Sequence, residues 1–446
     1  MTRGPRYKEK VNATSLTLRA RFFRLALPNV LSNLMVPLAG LVDTAMLGHL
    51  GSLHHLAGVA LASVLFDYVY WTFGFLRMGT TGLAAQAMGR GDTRELHLVA
   101  SRGALVALVA GGLLVLGSGL LGDLGFGLLT GAGEVKEAGR AYFDARILGA
   151  PAALLNFVVL GWLLGRERSD LVLVMAVVGN GANIVLDYLL IFHLGLESYG
   201  AGLATMASQY LMVVVGLFFV FRLSPLQDFF AAREHLWERA GLRRLIALNG
   251  DIMVRTFALQ TTFALFINFS ATLGTLVLAA NAVVLKVLSL ASYFIDGFAF
   301  ATESLAGIFK GQGARGELRR LLLMNCGFCV GTGLLFALGV WGFPEALYGI
   351  LTHHKEMITL AGHYTPWLVP VLGAGGLAYA LDGYFLGLTD GRALRQSTVL
   401  AALVGFVPLA LWGLHLQNNH LLWGALAVFM VLRGGSLALR APGTYR

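Results

Sequence analysis

Asp43 is a carboxylate inside the apolar run Leu25–Leu47, flanked by Leu41, Val42, Thr44 and Ala45 with no cation within one helical turn. A carboxylate so placed can load and release a proton or hold a small cation; the plainer alternative is one satisfied by polar groups from other helices. Asn180, Asn183 and Asp187 recur at i, i+3 and i+7, which puts them on one face of a helix. Two carboxamides ending in a carboxylate can share a proton with a second carboxylate or hydrogen-bond a ligand, and helix-to-helix hydrogen bonding is the simpler use. Asn33 can join them from the first run. We expect Asp43, Asp187 and Asn180 to handle the cation or proton, with Asn33 and Asn183 lining a cavity.

Further charges sit in apolar runs. Asp251 and Arg255 are four apart and can pair with each other. With Arg77 and Asp296 they form a set of alternating charges that could make an inner gate, or a static network. Asp67 and Lys286 lie nearer mid-span and could neutralise one another when two halves approach. Arg146 has no evident partner in the sequence. Cys326 and Cys329 read as small apolar residues rather than a redox or metal pair, since no other thiol and no nearby histidine accompanies them. No metal and no cofactor is expected. The histidines His49, His54, His55, His193, His353, His354, His415 and His420 read as solvated residues near one face.

Positioning these groups is the work of long apolar helices. Hydrophobic residues make up 57% of the 446 positions, charged residues 13%, and mean hydropathy is +0.72. A soluble domain carries about a quarter charged residues. The net charge of +9 is not gathered in a basic run interleaved with aromatics, which argues against nucleic acid as a partner. A span needs about 20 mostly apolar residues, and candidates fall at 22–48, 55–80, 98–121, 140–164, 171–193, 200–221, 244–270, 275–304, 321–341, 359–387, 396–414 and 419–439. The first resembles a signal peptide preceded by Arg3, Arg6, Lys8 and Lys10, but it is too long and no cleavage site follows, so it reads as a retained span.

Lysine and arginine divide the loops into two sets. One contains GRGDTRELHLVASR, GRERSD, REHLWERAGLRR, KGQGARGELRR and TDGRALR; the other holds only Lys136, Arg140 and Lys355. Basic loops stay on the cytoplasmic side, so both termini are expected there. Asp43 and Asp187 then lie in the outer half of the membrane, and Arg77, Asp251, Arg255 and Asp296 in the inner half.

The chain also repeats itself at an offset of 222. Gly161 and Gly165 match Gly383 and Gly387, Leu83-Ala84 matches Leu305-Ala306, and Gly89-x-Gly91 matches Gly311-x-Gly313. Six spans per half place both repeats in the membrane in the same sense, as in carriers that rock two bundles about a central site. The expected division is a first lobe at 1–221, a linker at 222–243 and a second lobe at 244–446. This favours a carrier over a channel, receptor or enzyme.

The runs LALPNVLSNLMVPLAGLVDTAMLGHLG, RMGTTGLAAQAMGRGD and GNGANIVLDYLLI resemble the multidrug and toxic compound extrusion (MATE) family, and ALNGDIMVR and YFIDGFAFATESLAG resemble its DinF-type branch. The resemblance spans nearly the whole chain. It implies an all-α, V-shaped pair of six-helix lobes in the cell inner membrane. It further implies export of small organic, often cationic or amphiphilic compounds by antiport with protons or sodium. A monomer is expected. The family places its first-lobe cation-binding aspartate at Asp43 and a second-lobe polar position at Asp382, and we expect Asp382 and Gln260 to line the cavity as well. It also offers bending of the first span at Pro28 and Pro37 as a switch, against a static kink. The glutamate of the NorM-type branch is absent from the seventh span, where the chain reads Arg255-Thr-Phe-Ala-Leu-Gln260. That leans the coupling ion toward protons, with sodium antiport, a lipid-linked sugar flippase or another secondary carrier as alternatives.

Overall fold

The computed structural model describes residues 17–50, 52–352 and 354–445; His353 and the basic residues Arg3, Arg6, Lys8 and Lys10 lie outside them. All regular structure among the described residues is helical. Eleven helices are long and apolar enough to cross a membrane, twelve if one bent pair forms a single span. In the first lobe these are α1 (Leu18–Gly48), α2 (Leu53–Thr72) continuing into α3 (Phe75–Arg90), and α4 (Thr93–Leu116), followed by the short α5 (Ser118–Leu128). Then come the bent pair α6 (Gly133–Ile147) and α7 (Ala150–Gly165), α8 (Ser169–Asp187) with a π-turn over Tyr188–His193, and α9 (Glu197–Leu223).

The short α10 (Leu226–Ala232) leads to the second lobe. That lobe holds α11 (Arg239–Thr272), α12 (Thr275–Gln312), α13 (Arg315–Gly342), the short α14 (Pro344–Leu351), and α15 (Lys355–Tyr364) leading into α16 (Leu368–Gly387). The chain ends with α17 (Gly391–Leu400), a π-turn over Ala401–Phe406, α18 (Val407–His415), α19 (Asn419–Arg440) and the single turn Pro442–Tyr445.

Two boundaries differ from the hydropathy reading. The second span runs to Arg90 rather than 80, because its last turns are buried against protein and need no lipid. The fourth is broken between Ile147 and Ala150 by 55°. Pro151 opens α7, and without an N–H it cannot bond back to the Ile147 carbonyl, which weakens the helix where the break falls. The prolines of α1, by contrast, sit inside one uninterrupted helix.

The internal repeat is visible atom by atom. A Cβ on Gly161 would stand 2.5 Å from the Arg77 carbonyl oxygen, and one on Gly383 the same distance from that of Ala299. Gly165 lies against the Thr81 carbonyl and the Ala84 side chain, and Gly387 against the Glu303 carbonyl and Ala306. In each lobe the fourth span therefore presses its glycines onto the backbone of the second span at equivalent positions. Gly91 and Gly313 end those second spans with φ of +70° and +72°, a left-handed turn that glycine adopts without penalty.

Burial shows how the lobes meet. At the end of the bundle carrying the basic loops, one continuous apolar core draws on both lobes, among them Phe22, Leu25, Leu83 and Trp162 from the first and Leu305, Phe309, Leu321 and Phe385 from the second. Toward the opposite end the cores separate. One cluster, around Phe66, Phe143 and Ile191, belongs to the first lobe, and another, around Phe266, Phe406 and Trp423, to the second. The lobes are closed together at the basic end and part toward the other.

Candidate functional site

The first-lobe site is built by α1 and α8, which pack along one another and bring Asp43 against Asp187. The two carboxyl groups lie close enough to share a proton. Asp187 is 1% exposed, and among the described residues no other side chain or backbone group donates to either of its oxygens. Two carboxyl groups can hydrogen-bond only if one carries a proton, since two carboxylates offer acceptors alone. The pair is therefore a ready-made proton holder.

Beside it runs an apolar groove of about 580 Å³ between Leu38, Val42 and Met46 on α1 and Ile184, Tyr188 and Phe192 beyond Asp187. Cavities of 300–1,000 Å³ suit small organic ligands. Asp43 and Asp187 do not line it; they lie one residue beyond Val42 and one before Tyr188 on the same two spans.

Arg146, unplaceable from sequence, occupies the last turn of α6 at the break of the fourth span. Its guanidinium lies 4.3 Å from the Phe66 ring centre, with Tyr142 at 5.5 Å and Tyr70 at 5.8 Å, and Nη1 donates to the Tyr142 hydroxyl at 2.8 Å. Asp43 and Asp67 both feel its charge. Among the described residues no ion pair joins Asp67 to Arg146 or to Lys286. Lys286 is exposed on α12 and, among the described residues, forms no ion pair, so the expected Asp67–Lys286 pair is absent with the lobes arranged as they are.

Other expectations for this lobe are corrected. Asn180 donates to the Ala176 carbonyl of its own helix at 2.7 Å and does not join the carboxyl pair, because back-bonding is the nearest option for an amide at that register. Asn33 crosses to the second lobe and donates to the Tyr293 carbonyl at 3.3 Å. Asn183 stays on the Asp187 face, buried, with its Nδ2 unpartnered. His54 and His55 are not simply solvated: His55 lies 3.0 Å from Glu197 and 2.9 Å from Ser198, and His54 3.9 Å from Glu134.

A sequence model of one family, MatE, matches residues 28–189 and 252–411. The chain is 38% identical over 416 residues to DNA damage-inducible protein F of Escherichia coli K12, covering 93% of this chain and 90% of that protein. The chain belongs to the MatE family. Its members are transporters, so this MATE protein is a multi-pass membrane transporter of a multidrug-efflux family and not an enzyme. A second relative, DETOXIFICATION 44, chloroplastic, of Arabidopsis thaliana, is 28% identical over 432 residues, covering 92% of this chain and 79% of that one. Among solved structures, the outward-facing conformation of a multidrug resistance MATE family transporter of the MOP superfamily superposes with a TM-score of 0.86 at 21% identity. It spans 96% of this chain and 97% of that one, which shows the shared fold.

The second lobe of this MATE chain holds a different arrangement. Asp382 on α16 accepts from Arg255 on α11 and from Arg433 on α19, which is wholly buried. Arg255 therefore does not pair with Asp251 as its spacing suggested; Asp251 reaches Arg395 at 2.6 Å instead. Across the lobe boundary, Arg77 Nη1 lies 3.2 Å from Glu303 Oε2, and its guanidinium covers the Phe300 ring at 4.0 Å. Asp296 lies in the field of Arg77, Arg255 and Arg433 without a direct ion pair. The gate set of Arg77, Asp251, Arg255 and Asp296 is thus divided: Arg77 bridges the lobes, whereas Asp251 and Arg255 are tied within the second. Gln260 keeps a buried, unpartnered Oε1.

Sequence reasoning missed Glu303 and Arg433. Glu303 follows Asp296 by seven residues on the same face of α12, a usable signal hidden by its place at the expected end of the span. Arg433 lies inside the expected span 419–439, so a charge in an apolar run was its signal, although its partner, 51 residues away, was not legible.

Proposed function

We propose that this MATE chain exports small organic compounds, cationic or amphiphilic, in exchange for protons carried on the Asp43–Asp187 pair. The observation carrying this reading is the approach of two carboxyl groups, Asp43 on α1 and Asp187 at the end of α8, inside the apolar spans. A proton entering the pair and a cationic substrate compete for the same negative charge, so loading one releases the other. Exchange follows if the loaded site faces the two sides of the membrane in turn.

The basic loops support a cytoplasmic location for both ends, in the cell inner membrane. The closed end of the lobes is then cytoplasmic and the cleft faces outward, the state in which an exporter has released substrate and collects a proton. A single chain supplies both lobes and the whole site, which supports a working monomer.

Sodium coupling is separated from proton coupling in proteoliposomes loaded with a cationic dye. Efflux should follow an imposed proton gradient at zero sodium gradient. Efflux driven by a sodium gradient alone at symmetrical pH would overturn the proton reading.

A further inference from the structure

Arg146, half-buried, differs from four other arginines set inside the bundle. Arg77, Arg102, Arg255 and Arg433 each lie within 4.0 Å of a carboxylate oxygen, on Glu303, Glu95 and, for the last two, Asp382. Arg146 has no carboxylate at that range. Its only hydrogen-bond acceptor is the Tyr142 hydroxyl, taken by Nη1, while Nε is buried with no acceptor. The Nε–Nη2 edge of a guanidinium is a fork that matches the two oxygens of a carboxylate, and here it is vacant.

Stacking against Phe66, Tyr70 and Tyr142 fixes the plane of that fork without satisfying it. The residue also stands at the 55° break of the fourth span, and broken spans in carriers are where substrate groups are held. The charged groups around it are Asp67 on α2 and Asp43 on α1, with Tyr70, Tyr142 and, more distantly, Tyr210. The first lobe thus carries a fixed cation on α6 and a carboxyl pair between α1 and α8.

We propose that Arg146 binds the carboxylate of zwitterionic organic substrates, whose cationic part lies toward Asp43–Asp187. This inference rests on the export reading above and narrows its substrate class. A bidentate carboxylate would complete both free donors of Arg146, whereas an esterified substrate would leave them unpaired.

The test is direct binding, by fluorescence anisotropy, of two dyes to the purified full-length protein: a tetraethylrhodamine with a free benzoate and its ethyl ester. The Arg146→Gln variant should bind the free acid about tenfold or more weakly, the loss expected for a charged hydrogen-bonded contact, and the ester within about twofold of wild type. Arg146→Lys keeps the charge but not the fork, and should show a smaller loss for the acid alone; it gives the same ratio if the glutamine variant does not fold. Equal losses for both dyes, or none for either, overturn the inference while leaving export of the ester intact. A wild-type protein that binds neither dye overturns this inference and the export reading together.

Discussion

Gly89 and Gly311 touch each other across the lobe boundary. A Cβ on Gly89 would stand 3.0 Å from Gly311 Cα and one on Gly311 2.9 Å from Gly89 Cα, with the carbonyls of Ile308 and Gln86 closer still. Two positions equivalent in the repeat thus form a symmetric contact that closes the basic end, and only glycine fits. Gly89→Ala or Gly311→Ala should therefore push the lobes apart at this end and reduce dye transport by about tenfold or more, with expression and membrane insertion unchanged. Wild-type transport by both alanine variants would show that this contact need not close.

The Arg77–Glu303 bridge makes a second claim about the same boundary. Removing one partner of a buried ion pair costs about 3–5 kcal/mol because the other is left charged and unpaired. That cost falls on the closed arrangement, so Arg77→Gln should reduce transport by about tenfold or more. The exchange Arg77→Glu/Glu303→Arg should restore part of it. If the exchanged pair behaves no better than Arg77→Gln, the bridge does not hold the lobes together.

Asp382 is expected to matter for stability before transport. It ties α11, α16 and α19 through Arg255 and Arg433, so Asp382→Asn leaves two buried guanidiniums sharing a neutral amide. A loss of about 3–5 kcal/mol should appear as a lowered thermal unfolding temperature in detergent. An unchanged unfolding temperature with lost transport would assign Asp382 to the transport cycle instead.

Much of the fold is written in local patterns, and the site is not. Apolar runs set by the bilayer thickness mark the spans. The repeated glycines are legible because Gly161, Gly165, Gly383 and Gly387 face backbone carbonyls where any side chain would clash. Asp43 and Asp187 stand out because an isolated carboxylate among apolar residues is rare. Their partners are set by tertiary packing, which spacing does not encode. Arg146 finds Phe66 and Tyr70 on α2, and Asp382 finds Arg433 on the twelfth span, while Asp251 and Arg255 ignore each other at helical spacing. Rotamer and helix rotation decide those choices.

Asn180 tests that distinction. Its amide donates to its own helix, so Asn180→Ala removes a local bond and leaves the carboxyl pair untouched. Dye efflux and its pH dependence should stay within about twofold of wild type, below the effect of about 1 kcal/mol for a lost neutral hydrogen bond in the site. A several-fold loss would return Asn180 to the coupling site.

Lys286 and Asp67 provide a further contrast. Because no ion pair joins them and Lys286 lies exposed on the other lobe, Lys286→Met should not rescue Asp67→Leu. Recovery of transport in the double variant would require the two to meet in another state of the cycle.

The central claim is that the Asp43–Asp187 pair carries the coupling proton. The direct measurement is uphill dye transport in proteoliposomes under an imposed pH gradient, with Asp43→Asn compared against wild type and dye binding measured in parallel. The amide keeps the size and can donate to Asp187 but cannot ionise. Asp43→Asn should fold, insert and bind dye, yet fail to move it against its gradient at any imposed pH difference. Uphill transport by Asp43→Asn at the wild-type rate would contradict the account.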